Sequence, residues 1–208
     1  MKKLLAFGLL CSISCLLADD PPKSDTPKTN APTKAEAKKE DAKAPLATIP
    51  DATTKPVLTT NTVSIGGEKV TYITETGMLP LLKSDGGARA SVFYIAYTKE
   101  GEVNAGKRPV TFCFNGGPGS SSVWLHLGAL GPRRVKLNDD GTQPPPPFSL
   151  QDNEYSILSA TDLVFIDPVA TGYSRPTKDE KTEQFFGQSP DVESVGDFIR
   201  LWTTRHRR

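Results

Sequence analysis

Hydrophobic and polar positions alternate through Lys69–Thr74 and again through Ser91–Thr98, the period of a strand with one face turned inward. Gly86-Gly87 precedes the second run and Glu100-Gly101 follows it, so the pair predicts an antiparallel opening. Arg108–Phe114 is aromatic and β-branched, apolar enough to predict a central strand. Thr161–Asp167 predicts a second buried strand, ended by Asp167-Pro168. Between them, Val123–Leu130 reads as a short helix or turn closed by Gly131-Pro132. Asn138–Pro147 reads as an exposed loop whose four consecutive prolines favour an extended path. The spacing then becomes helical. Ser189 suits an N-cap, Pro190 suits the first helical position, and Val192, Val195, Phe198, Ile199 and Trp202 recur on one face. Two apolar strands that each run into a Gly/Pro loop predict an α/β sheet with its site at the strand C-terminal ends.

The chain upstream has a different pattern. Lys2 and Lys3 followed by the apolar run Leu4–Leu17 read as a signal peptide over residues 1–18, with cleavage near Ala18. That run is short for a bilayer span. Cys15 offers a second processing route as a lipid-bearing residue, and a membrane is an expected partner only in that case. Residues 19–60 are rich in Pro, Lys, Ala, Thr, Asp and Glu and contain no aromatic side chain, so they predict a disordered linker. The folded body is therefore expected over 61–208, in an exported protein, periplasmic or extracellular. With 25 basic and 24 acidic side chains the formal charge is +1, which gives no electrostatic argument for nucleic acid. Cys11 and Cys15 fall in the leader. Cys113 is left alone in the body, where a small buried hydrophobe is expected rather than a nucleophile.

The candidate chemistry sits in Asn115-Gly116-Gly117-Pro118-Gly119-Ser120-Ser121-Ser122, directly after the Arg108–Phe114 run. Paired glycines can expose backbone N–H groups to a ligand at close range. Acyl transfer needs such preorganised donors where a carbonyl oxygen becomes an oxyanion. A plain Asn-Gly turn is the competing reading, but Pro118, Gly119 and three serines do not suit a tight hairpin. A phosphate cradle is excluded because no Gly-Lys-Ser/Thr follows. The nucleophile search fails: no Gly-x-Ser-x-Gly occurs in the 208 residues. Ser174 lacks the final glycine, and Pro176 does not suit the helix of a nucleophile elbow. Ser120, Ser121 and Ser122 suit backbone bonding or capping. Of the 2 histidines, His126 lies among apolar neighbours and reads as structural, and His206 lies in the basic cluster Arg205-His206-Arg207-Arg208. So few ligands predict no metal site, and no cofactor is expected.

The Asn115–Ser122 run with Gly131-Pro132 downstream resembles the serine carboxypeptidase family (peptidase family S10), as do Asn153-Glu154-Tyr155-Ser156 and Thr161–Ser174. The likeness runs from about Tyr72 to Trp202 and has a bacterial flavour: Ser120 stands where the family often has Cys, and Cys113 where it often has Trp. The resemblance implies an α/β-hydrolase fold and release of C-terminal residues from peptides through an acyl-enzyme. It implies Gly117 as the oxyanion donor through its backbone N–H, and Asn115 and Gly116 as binders of the peptide's terminal carboxylate. The family's nucleophile follows the helix matched by Asp191–Trp202, and its Asp and His lie further on. None of the three falls within these residues. The expected domain is therefore an N-terminal part of an α/β-hydrolase, inactive alone, with an unpaired strand edge, an uncovered helix face and poor solubility. A non-catalytic remnant, a partner-dependent fragment, and an esterase or acyltransferase on the same fold are the alternatives.

Overall fold

The computed structural model describes residues 55–116 and 119–208. Three long strands open the fold: β1 (Val57–Ile65), β2 (Glu68–Leu82) and β3 (Ala88–Lys99), joined as an antiparallel meander. Then come β4 (Val110–Cys113), the short helix α1 (Val123–Leu125), and the two arms β5 (Arg133–Val135) and β6 (Leu150–Asp152) of a separate ribbon. β7 (Asp162–Ile166), the two-residue β8 (Arg175–Pro176) and the helix α2 (Gln188–His206) complete it. The main sheet runs β1-β2-β3-β7-β4, with β8 added to β3. β7 is antiparallel to β3 and parallel to β4, so the sheet is mixed, as the expected α/β class requires.

β7 lies between β3 and β4 and is covered on both faces. All five residues are buried: Val164 and Ile166 face α2, and Leu163 and Phe165 face the opposite layer. A strand covered on both faces loses the alternation of a half-exposed one and becomes continuously apolar. On the α2 side, Leu81, Val92, Tyr94, Phe198 and Trp202 close the core, with Tyr94 and Phe198 edge to face at 5.7 Å. On the other side Val63, Tyr72, Tyr97, Leu158 and Cys113 form a second cluster.

Among the described residues β4 pairs with β7 alone. Three sequence expectations are corrected. β1 begins at Val57, inside the segment assigned to the linker. Seven of its nine side chains are exposed, so backbone pairing with β2 holds a strand that has little hydrophobic signal. β2 continues well past Thr74. Pro80 lies beyond Thr76, the last β2 residue that pairs with β1, so among the described residues its missing donor breaks no β1–β2 bond. The helix α2 starts ahead of Ser189, with Gly187 at the N-cap in a positive-φ conformation of 110°. Its buried stripe is Ser194, Phe198 and Trp202, while Val192 stays exposed. Pro190 remains harmless in the first turn, where its N–H would have no intrahelical partner.

A buried charge cluster ties the sheet to the end of α2. Asp162 at the start of β7 is 1% exposed and accepts from the Lys99 backbone N–H at 3.0 Å, Arg108 Nε at 2.9 Å and Arg208 Nη2 at 2.6 Å. Arg208 also donates to the Arg108 carbonyl at 3.0 Å, and Arg108 to that of Leu158. One carboxylate thereby joins β3, β7, the residues leading into β4 and those beyond α2.

Candidate functional site

The chain leaves β4 at Cys113 and β7 at Ile166 side by side, since the two strands are parallel and in register. Their following loops therefore meet at one end of the sheet. The first carries Phe114–Ser122 and the second Asp167–Ser174. With the first half of α2 they enclose a cavity of about 750 Å³. Asn115, Gly116 and Ser120 line it from the first loop, Val169 and Ala170 from the second, and Val195 from the helix.

Hydrogen bonds fix both loops. Asn115 Nδ2 donates to Ser120 Oγ at 3.1 Å, which folds the first loop back on itself. Ser122 Oγ donates to the Ile166 carbonyl, joining the loop to the end of β7. The hub is Asp167, 7% exposed. Its Oδ1 accepts from the Ser122 N–H at 2.9 Å and its Oδ2 from the Tyr173 N–H at 3.4 Å, so one carboxylate spans both loops. Ala170 adopts φ 70°, a left-handed conformation that costs about 1 kcal/mol or more without a glycine. Such strain survives only where the surroundings impose it, and here it lies on the cavity wall.

Gly172 shows how tightly this hub is built. A Cβ added there would lie 1.8 Å from Asp167 Oδ2, and its φ of +45° disfavours a side chain as well. Gly172→Ala is expected to lower the unfolding free energy by about 1–3 kcal/mol. The urea midpoint measures it, and an unchanged midpoint would mean that the loop yields freely.

Several sequence candidates are placed elsewhere. Ser174 is fully buried, donating to the Asp167 carbonyl at 2.5 Å and accepting from the Phe93 N–H at 2.8 Å, so its oxygen is unavailable for attack. His126 lies in the second core cluster's layer, its Nε2 2.5 Å from the Tyr97 hydroxyl and its ring 4.6 Å from that of Phe165. Burial pushes its pKa down to about 4. Burial pushes the Cys113 thiol up to about 11, which removes it as a nucleophile at neutral pH. His206 is not merely part of a basic cluster: it pairs with Glu75 at 2.9 Å. Gly117, with Pro118, lies outside the described residues. Among the described residues no three His, Cys, Asp or Glu side chains gather closely enough to hold a metal ion.

Sequence reasoning missed Asp167 and Ala170 as parts of the site. Asp167 read as the end of a strand. The available signal was an acid immediately after a fully apolar run, followed by Pro168 and then Gly172, which together turn the chain back over the carboxylate.

The serine carboxypeptidase family model matches residues 68–208 of this chain. The chain belongs to the serine carboxypeptidase family. Pheromone-processing carboxypeptidase KEX1 of Saccharomyces cerevisiae is 37% identical over 110 residues, which is 50% of this chain and 14% of that protein. Serine carboxypeptidase-like 19 of Arabidopsis thaliana is 29% identical over 136 residues, covering 64% and 26%. The crystal structure of KEX1(delta)p, a prohormone-processing carboxypeptidase from Saccharomyces cerevisiae, matches 64% of this chain and 28% of its own, with 29% identity and a TM-score of 0.49. The matched part thus spans well under a third of each of these serine carboxypeptidase relatives.

Proposed function

We propose that this chain supplies the oxyanion and carboxylate side of an exported serine carboxypeptidase site. Asn115 and Gly116 hold the terminal carboxylate of a peptide, and the Gly117 N–H stabilises the oxyanion of the scissile carbonyl. The supporting observation is the position of Asn115 on the cavity wall, its carboxamide fixed by Ser120 at 3.1 Å. An amide whose rotamer is already set loses little entropy on binding, and it offers the carboxylate a neutral donor without a competing counter-charge. Adjacent backbone N–H groups at a glycine-rich strand end supply further donors. Hydrolysis needs a nucleophile and a base as well. The 208 residues contain no Gly-x-Ser-x-Gly, and Ser174 and His126 are both committed to structural bonds. These residues therefore bind a peptide terminus but do not cleave it by themselves.

Titration of the purified chain with an N-blocked dipeptide acid and with the matching amide tests this. The acid is expected to bind, the amide much more weakly, and Asn115→Ala is expected to weaken the acid by about tenfold. Equal binding of acid and amide, or release of the C-terminal residue by this chain, would overturn the proposal.

A further inference from the structure

His206, in the last turn of α2, lies away from the loops that line the cavity. Its Nδ1 is 2.8 Å from the Trp202 carbonyl oxygen, and its Nε2 is 2.9 Å from Oε2 of Glu75 on β2. Both neighbours are acceptors. A carbonyl has no proton to give, and Glu75 already accepts from the Tyr94 hydroxyl at its other oxygen. Burial pushes the Glu75 carboxyl up, but the hydrogen bonds from His206 and Tyr94 outweigh it and hold the group below its ordinary value, as an ionised acceptor. Both ring nitrogens of His206 must therefore donate, and only the imidazolium form does so.

We propose that the His206 imidazolium is a pH-operated clasp fastening the end of α2 to the sheet through Glu75. The ring stacks on Trp202 at 4.0 Å with an interplanar angle of 18°, and Phe112 from β4 meets the same indole edge to face at 5.5 Å. The groups that bear on the clasp are few. β2 provides Glu75, β3 the Tyr94 hydroxyl, and α2 itself Arg205, whose charge acts on both Glu75 and Tyr94. β4 contributes only the apolar Phe112. When His206 loses a proton, one nitrogen presents a lone pair to an oxygen acceptor, and one of the two bonds turns repulsive. The clasp is closed while the ring holds both protons and opens when it gives one up. Because the first half of the same helix walls the cavity, the clasp links the pH of the surroundings to the anchoring of that wall.

Amide hydrogen exchange of the 208-residue chain, corrected for intrinsic rates, tests this between about pH 6 and pH 9, which brackets histidine titration. Protection over residues 201–208 is expected to fall about tenfold relative to β7 amides as pH rises. Glu75→Gln is expected to abolish that dependence. The 15N shifts of the imidazole in the unsubstituted protein give a reading that needs no variant: both nitrogens of His206 should be protonated at the acid end. A ring with one bare nitrogen there, or protection that follows β7 throughout, would overturn the clasp.

Discussion

Asp162→Ala is expected to lower the unfolding free energy by about 3–5 kcal/mol, the scale of breaking a buried ion pair by removing one partner. The size follows from what is left behind. The side chains of Arg108 and Arg208 are each only 9% exposed. Both would keep their desolvation cost while losing the carboxylate that compensates it, and the Lys99 N–H would lose its acceptor. Asp162→Asn should recover only part of the loss, because an amide offers one acceptor oxygen where the carboxylate offers two. Urea unfolding followed by circular dichroism measures the change. A loss below about 1 kcal/mol would place the pair in the category of surface bridges and contradict the burial.

The second large effect is acid sensitivity carried by His126. Its folded pKa is depressed by burial from 6.5 to about 4. The unfolded chain therefore binds the proton more readily than the folded one. The stabilisation is complete above the ordinary histidine pKa and is lost as pH falls towards about 4. At about 1.4 kcal/mol per unit the loss amounts to about 3 kcal/mol. Protonation would also oblige the Tyr97 hydroxyl, which burial keeps protonated, to turn and accept. Comparing unfolding midpoints of the wild type and His126→Gln across this range isolates the effect from the titrating carboxylates. The same slope in both proteins would assign it to other groups.

Physical reasons decide which parts of this architecture were legible in the sequence. β7 was readable because both its faces are buried, so every residue reports the same environment. α2 was readable because Phe198 and Trp202 recur at helical spacing. Its start was not, since Ser189 has the chemistry of a cap while Gly187 has the backbone freedom that the entry turn uses. β1 escaped notice because only Val63 and Ile65 of its nine residues are buried. Asn115 and Gly116 were marked by a glycine motif whose purpose is local. Asp167 and the Glu75–His206 pair were not, because their meaning depends on partners brought together only by folding. Glu75 and His206 are separated by 131 positions, and no local pattern carries that information.

The strand order also fixes a sequence of events. β1, β2 and β3 are consecutive and pair as they emerge, but β4 has no described neighbour except β7. Among the described residues its pairing therefore waits until Asp162–Ile166 has been synthesised and has come in between β3 and β4. Closing that gap spans the intervening ribbon and loops, the long-range kind of contact that slows folding and leaves apolar strands exposed in the meantime. In a cell, the emerging chain has a meander that can form early and a seam that can close only late.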